Sequence, residues 1–374
     1  MTDNYRICEK CVMDSTDPDI QFDPNGICNH CSKYNEMAKE RLICDEAGQR
    51  KLNLLIDEIK TKDKNKKYDC ILGISGGVDS TYVAYMLKKM GLRPLAVHLD
   101  NGWDSELATD NMNKMLKGLG IDFFIYTVNW EEFKDSQLSF LRASVSDAEI
   151  PTDHAISAIL YKVAAKEGIQ FIMGGGNVST EAILPDAWGY THRDWRYIKS
   201  LNRKFGKAKL VSFPHYNLLE LLYYIFVKRI KYINILNFMT YVKNDVIELL
   251  EKELGWQYYG GKHYESIYTR FLQAYILPVK FGIDKRRAHL STLICSGQIT
   301  REEALEELKR NPYPSEEMMM KDREYVLEKL GLSEKYFEEI MSLQNKSFRD
   351  YSTNNWLVQI ISRRGSIVKK LRFP

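Results

Sequence analysis

Cys70-Ile71-Leu72-Gly73-Ile74-Ser75-Gly76-Gly77-Val78-Asp79-Ser80-Thr81 is the stretch from which the fold can be read. An apolar run of strand length meets two glycines, and helical spacing follows from about Thr81 to Lys89. That order predicts a buried strand, a tight turn and a helix. The glycines let the backbone come close to a ligand. The hydroxyls of Ser75, Ser80 and Thr81, with the N–H groups of Gly76, Gly77 and Val78, suit phosphate oxygens. A Walker loop is excluded, because no Lys followed by Ser or Thr closes the turn. Asp79 would repel phosphates unless a cation lay between them, so Mg²⁺ is implied with Asp79 as its ligand.

The string Ser75-Gly76-Gly77-Val78-Asp79-Ser80 resembles the signature of the PP-loop ATP pyrophosphatases. That resemblance implies cleavage of ATP between its α and β phosphates, the AMP half activating an oxygen of a second substrate. Around the loop, strands are expected at Cys70–Ile74, Pro94–Leu99, Phe123–Val128 and Phe171–Met173. Helices are expected over Thr81–Lys89, Leu107–Leu119 and Ala155–Glu167. Strand and helix alternate, which predicts a doubly wound parallel α/β sheet; the resemblance implies that it is of the PP-loop (adenine nucleotide alpha hydrolase-like) type. Ligands then sit beyond the carboxyl ends of the strands. His98 and Asp100 end the second strand and Gly174 and Gly175 the fourth, so all four are expected at ATP.

An N-terminal module precedes this block. Cys8-Glu9-Lys10-Cys11 and Cys28-Asn29-His30-Cys31 are CxxC steps separated by 16 residues rich in turn formers, a spacing suited to a Cys₄ zinc ribbon. The chain is thus expected to divide into the ribbon at 1–45, a linker helix at 46–67, the PP-loop domain at 68–260 and a helical C-terminal region at 261–374. Within the PP-loop domain an aromatic and helical insertion is expected after residue 185. The charge run Lys60–Lys67 reads as solvated linker.

Composition narrows the class further. Among 374 residues, 53 basic and 50 acidic side chains leave a net charge of +3, too small for a nucleic-acid coat, so no nucleic-acid partner is expected. Seven cysteines, four of them in CxxC steps, point to metal and not disulfides. The apolar stretch Leu218–Met239 carries Glu220, Lys228, Arg229 and Lys231, which argues against a membrane span. It is expected to be helical, as core or as an exposed docking face. Met1–Ile7 is polar and predicts no export signal, hence a cytoplasmic protein. Cys44, Cys70 and Cys295 read as isolated thiols.

The chemistry needs cations near the departing pyrophosphate. Lys280, Lys285 and Arg286 in the basic run Lys280–Arg287 are the candidates, against a solvated face. Glu181 is a candidate second metal ligand or base, against a helix cap. For the second substrate, Asp153 is either a contact or the N-cap of a helix, and His154 is either an acid–base group or structural. Trp188, His192 and Arg193 sit in an aromatic, charged loop that suits a nucleotide-sugar, against packed surface.

Joined together, Cys8/Cys11/Cys28/Cys31 with Cys11-Val12-Met13-Asp14 and Thr16-Asp17-Pro18, then Ser75–Ser80, His98-Leu99-Asp100-Asn101-Gly102-Trp103 and Gly174-Gly175-Gly176-Asn177 look like the N-acetyl sugar amidotransferases of bacterial surface-glycan biosynthesis. The resemblance implies an ATP-dependent, AMP-forming enzyme. It adenylates the acetamido oxygen of a nucleotide-linked N-acetyl sugar and replaces it with ammonia-derived nitrogen, giving an acetamidino sugar for lipopolysaccharide O-antigen or a related glycan. ATP, Mg²⁺ and a structural Zn²⁺ are the implied cofactors. No Gly-x-Cys-x-Gly elbow is present, so a separate glutaminase and an ammonia-conducting, barrel-like partner are implied. The alternative is a PP-loop tRNA sulfurtransferase, which would need a catalytic cysteine pair or a cluster ligand set.

Overall fold

Alternate residues of the first strand part to opposite faces: Ile71 joins one apolar core, and Cys70 and Leu72 join another. In the computed structural model, which describes residues 5–62 and 64–354, that strand is the centre of a five-stranded sheet. Helices α1 (Asn29–Arg41) and α2 (Glu46–Lys62) precede β1 (Cys70–Gly73). The nucleotide-type alternation follows: α3 (Val78–Lys89), β2 (Pro94–Asp100), α4 (Glu106–Leu119), β3 (Asp122–Thr127), α5 (Trp130–Ala143), α6 (Ile150–Glu167) and β4 (Phe171–Gly174). Next come α7 (Val178–Glu181), α8 (Trp195–Phe205), α9 (Leu218–Leu222), β5 (Lys231–Asn234) and α10 (Lys243–Leu254). The C-terminal part adds α11 (Ile267–Phe271), α12 (Arg286–Cys295), α13 (Arg301–Lys309), α14 (Glu316–Leu330) and α15 (Glu334–Ser342). The expected region 261–374 extends past this, and residues 355–374 lie outside the described residues, as do 1–4.

The sheet is parallel throughout, in the order β3-β2-β1-β4-β5. Chain direction across the sheet reverses between β1 and β4, which makes their carboxyl ends the topological switch point. Helices α3, α4 and α10 pack on one face and α5, α6 and α8 on the other.

The segment Leu218–Met239 departs from the helix expected there. A capping box between Asn217 and Glu220 starts α9, and a π-helical stretch ends it at Val227. Lys231-Tyr232-Ile233-Asn234 then pairs with β4, and Ile235 and Leu236 are buried in the core. Aromatic and β-branched residues flanking a buried strand edge favour pairing over helix. Leu219 and Val227 remain 77% and 66% exposed. No helix among the described residues is long and apolar enough to cross a membrane.

The ribbon is closed by two isolated antiparallel bridges, Ile7 with Asp14 and Phe22 with Cys28, and α1 begins inside its second CxxC step. It is docked on the body and not tethered. Arg287 pairs with the buried Asp14 at 3.0 Å and donates to the Val12 carbonyl at 2.9 Å, while Arg301 donates to the carbonyls of Cys8 and Cys11. The Val12 N–H donates to Ser291 at 3.1 Å.

Candidate active site

Helix α3 begins at Val78, three residues earlier than the spacing suggested, so Asp79 and Ser80 lie in its first turn. Gly76 adopts φ +77°, and a Cβ there would meet the Ala108 carbonyl oxygen at 2.5 Å; this position needs glycine. The turn is braced from outside. Trp256 donates from its indole to the Gly76 carbonyl at 3.0 Å, and the Val78 N–H donates to the Tyr259 hydroxyl at 3.2 Å. At the end of β4, a Cβ on Gly174 would overlap the Tyr232 ring at 2.4 Å. Small residues at both strand ends therefore keep the switch point open.

Two cavities meet there. The smaller, about 180 Å³, is lined by Ser75, Gly77, Val78, Asp79 and Ser80 together with Gly175, Gly176, Thr180 and Glu181. Its opposite wall is Lys243, Tyr259, Lys262, His263, Glu265 and His289. The larger, about 370 Å³, runs past Gly73–Ser75, His98, Asn101 and Asp104 to Glu149, Thr152, Asp153, Tyr232, Gln273 and Lys285.

Electrostatics in the smaller cavity suit a phosphate chain with a divalent ion. Burial and the charge of Glu181 push Asp79 up to about 6, although the Tyr241 hydroxyl donates to it. Burial alone would raise Glu181 too, but Lys262 at 3.1 Å and His263 outweigh it and hold Glu181 below the usual carboxylate range. Burial and the Lys262 charge lower Lys243. Burial, with Lys262 and Lys243, holds His289 neutral, well below its ordinary value. Two carboxylates facing two ammonium groups across a glycine turn match the usual Mg²⁺ site, in which one or two carboxylates share the ion with substrate phosphates.

In the larger cavity, both ring nitrogens of His98 are engaged, Nδ1 with the Ile74 carbonyl at 3.0 Å and Nε2 with Asp104 at 2.8 Å. Burial pulls its pKa down, yet Asp104 prevails and the value is raised. Asp153 is exposed to the cavity, yet the protein walls around it and the charge of Glu149 push it up to about 7, against the pull of Lys285 and His263. Lys285 stands 3.6 Å from Glu149.

Several residues expected here lie elsewhere. Lys280 is a structural cation whose ammonium donates to the carbonyls of Ile340, Met341 and Leu343, tying off the end of α15. Arg286 is held by Asp284 and donates to the carbonyls of Glu307 and Arg310. Asp100 accepts from the Gly102 N–H and from Thr127, closing its own loop. Thr81 is fully buried behind the turn and lines neither cavity. His154 is buried against Trp195 and Tyr216, its Nδ1 2.6 Å from the His192 carbonyl, and burial lowers its pKa to about 3. Trp188 is buried, and His192 and Arg193 line neither cavity; the charge of Arg193 is felt at Tyr161, Tyr216 and Tyr232.

The sequence reading named no site residue in the segment Tyr259–Ser266, which supplies Tyr259, Lys262, His263 and Glu265. Its signal was Gly260-Gly261 followed by Lys and His, a turn beside charged groups.

The four ribbon cysteines bring their sulfurs within 4.8 Å of one another, at 3.6 Å for Cys11–Cys28, 3.7 Å for Cys28–Cys31 and 3.9 Å for Cys8–Cys31. A tetrahedron with Zn–S bonds of about 2.3 Å has edges of about 3.8 Å. N–H groups of Lys10, Cys11 and Cys28 point at the Cys8 sulfur, as expected around a thiolate. The donor set fits zinc.

Residues 49–204 match the NAD synthase family, and residues 265–364 match the family described as "LPS biosynthesis protein WbpG-like, C-terminal domain". The chain is 37% identical over 78 residues to tRNA(Ile)-lysidine synthase of Chlamydia pneumoniae, covering 20% of this chain and 24% of that protein. It is 38% identical over 110 residues to the glutamine-hydrolyzing GMP synthase of Pyrobaculum aerophilum, covering 28% and 21%. The chain thus spans about a quarter of the length of these curated relatives. Among solved structures, the NH3-dependent NAD synthetase from Campylobacter jejuni is similar over 35% of this chain and 58% of that one, at 20% identity and TM-score 0.26. The chain thus joins a PP-loop domain of the NAD synthase type to a WbpG-like C-terminal domain.

Proposed function

We propose that the chain is an amidotransferase that adenylates the acetamido oxygen of a nucleotide-linked N-acetyl sugar and exchanges it for nitrogen. One observation carries this reading. The segment matching the WbpG-like domain supplies Glu265, Ser266, Thr269, Gln273 and Lys285 to the larger cavity, directly beside the phosphate turn.

The division of labour follows from the cavities. Ser75, Gly77 and Ser80 grip the phosphate chain with α3 behind them. Asp79 and Glu181 hold the Mg²⁺, whose contribution when bound is to neutralise charge on the phosphates. Lys243 and Lys262 receive the charge that builds on departing pyrophosphate. Adenosine and the acceptor share the larger cavity, where the polar wall Glu149, Thr152 and Asp153 suits sugar hydroxyls. An amide oxygen is a poor leaving group; carried on AMP it becomes a good one. Ammonia, delivered by a separate glutaminase partner, completes the exchange.

A second reading, a tRNA-modifying enzyme, draws on the likeness to tRNA(Ile)-lysidine synthase and on a basic surface groove of Arg196, Lys199, Arg203 and Lys204 along α8. One experiment separates the two. Nucleotide-linked N-acetyl sugars are incubated with protein, ATP, Mg²⁺ and ammonium and read by mass spectrometry. The expected product is lighter by the difference between an oxygen and an NH group, with AMP formed in step. Co-purified or modified tRNA, with no sugar product, would replace this reading by the second.

A further inference from the structure

Among the described residues, only Ser75, Gly175, His263 and Glu265 line both cavities, so two titratable side chains mark the neck between them. A nucleotide with its phosphates in the smaller cavity and its adenosine in the larger must place its α-phosphorus at that neck. His263 is unusual there. It adopts φ 63°, a left-handed conformation uncommon outside glycine and sustained where surrounding structure enforces it. The enforcement is visible on both sides: Lys262 is tied to Glu181, and the Glu265 carbonyl accepts from the Ser105 N–H at 2.8 Å. His263 Nδ1 stands 3.7 Å from Glu265 Oε1. The other oxygen of Glu265, Oε2, is buried with no hydrogen-bond partner among the described residues. His263 shares the lining of the larger cavity with Asp153 and that of the smaller with Glu181.

We propose that His263 is the general base of the nitrogen-transfer half-reaction, and that Glu265 positions its ring. This rests on the adenylation reading given above. Ammonia's lone pair forms the C–N bond at the adenylated carbon, and one N–H proton passes to the free ring nitrogen of His263. The C–O bond then breaks, its electron pair leaving on the phosphate oxygen of AMP. The imidazolium returns its proton to the strongly basic amidine, which leaves as the amidinium. Glu265 is the less suitable base: its Oε1 lies against the phosphate turn, 3.1 Å from where a Cβ of Gly77 would be. A carboxylate in that place serves to orient and to stabilise the transient imidazolium.

The test uses His263→Asn, since Asn tolerates the left-handed backbone, with Glu265→Gln beside it. Acceptor-dependent exchange of pyrophosphate into ATP, on a panel of UDP- and CMP-linked N-acetyl sugars, reads the first half-reaction. Product formation with ammonium or with hydroxylamine reads the second. His263→Asn is expected to lose about 10²- to 10⁴-fold in transfer from ammonium and clearly less in exchange, where its loss removes only a wall group of the phosphate cavity. Hydroxylamine, whose nitrogen is far less basic, should recover most of the transfer. Glu265→Gln should show a smaller loss and a displaced pH profile. Native transfer from ammonium in His263→Asn would overturn the assignment, as would equal losses in exchange and transfer without hydroxylamine recovery. Absence of acceptor-dependent exchange in the native protein would instead overturn the adenylation reading, and the role of His263 with it.

Discussion

The sulfur of Cys295 lies 3.8 Å from that of Cys31, so α12, which carries Cys295, abuts the ribbon's cysteine cluster. Cys295 is therefore not the isolated thiol its sequence context suggested. At 3.6 residues per turn, Arg287, Ser291 and Cys295 share one face of α12, and all three touch the ribbon. His289 points the other way, into the phosphate cavity, with Nδ1 3.1 Å from the Thr180 carbonyl. One helix thus joins the cysteine cluster to the phosphate-turn cavity.

Removing the ribbon metal is accordingly expected to weaken ATP binding as well as stability. Structural zinc contributes on the order of 10–16 kcal/mol in isolated fingers, so Cys28→Ser should give insoluble or zinc-poor protein. Cys295→Ser should retain one zinc per chain, because the four ligands remain. Metal analysis paired with calorimetric titration of ATP checks both; a soluble, metal-free Cys28→Ser protein that binds ATP normally would refute the coupling.

Asp79 predicts a pH dependence. Its carboxyl is pushed up to about 6 by burial and by Glu181, above the ordinary value of about 3.9. A folded-state pKa above the unfolded one gives stability that is fully present below about pH 4 and lost as pH rises through 6. Asp79→Asn should therefore raise the melting temperature of the ligand-free protein at pH 7 to 8 but not near pH 4. The same carboxylate must be ionised to hold Mg²⁺, so affinity for Mg²⁺-ATP should fall as pH drops through 6. Loss of the ligand should cost more than about 10²-fold in AMP formation. Native turnover by Asp79→Asn would overturn the role assigned to this residue.

Lys280 separates legible from illegible positions. The phosphate turn, four of the five strands and the CxxC pair could be read because each is local: a strand ends, glycines turn the chain, a helix begins. A basic residue's partner is not local. Lys280 and Arg286 looked like pyrophosphate cations, yet each is consumed by helix-end carbonyls that only tertiary folding brings near. Conversely, Lys243 and Lys262 serve the cavity from segments whose sequence signal is weak. β5 was missed because pairing with β4 overrode an apolar run that also suits a helix. Lys280→Ala should therefore lower stability by about 1–3 kcal/mol and leave kcat near native well below the melting temperature. A large loss of kcat with unchanged melting would return Lys280 to the chemistry.

Lys262 offers the matching test on the catalytic side. Lys262→Met removes a cation from the phosphate wall and leaves Glu181 without its partner at 3.1 Å. Affinity for Mg²⁺-ATP should drop by about tenfold to a hundredfold, an ion-paired hydrogen bond contributing about 1.5–3 kcal/mol. Adenosine alone, which has no phosphates, should bind with little change. Equal losses for both ligands would mean a displaced segment and not a missing cation.

Asp153 carries the prediction for the acceptor. It opens onto the larger cavity from the first turn of α6, beside Glu149 and across from Lys285. Although Asp153 is exposed to the cavity, the surrounding walls and Glu149 push it up to about 7, so its hydrogen bonding changes within the working pH range: the protonated group can donate, whereas the carboxylate above that value only accepts, and more strongly. If it accepts from a sugar hydroxyl, kcat/KM for the acceptor should rise as pH passes upward through about 7. Asp153→Asn should flatten that limb and raise KM for the acceptor about tenfold to a hundredfold, with a clearly smaller effect on ATP affinity, because the residue is absent from the cavity that takes the phosphates. Steady-state kinetics from pH 5.5 to 8.5 (roughly 1.5 units either side of the titration) decides it: an unaltered acceptor KM, or a matching loss of ATP affinity, would remove Asp153 from the acceptor site.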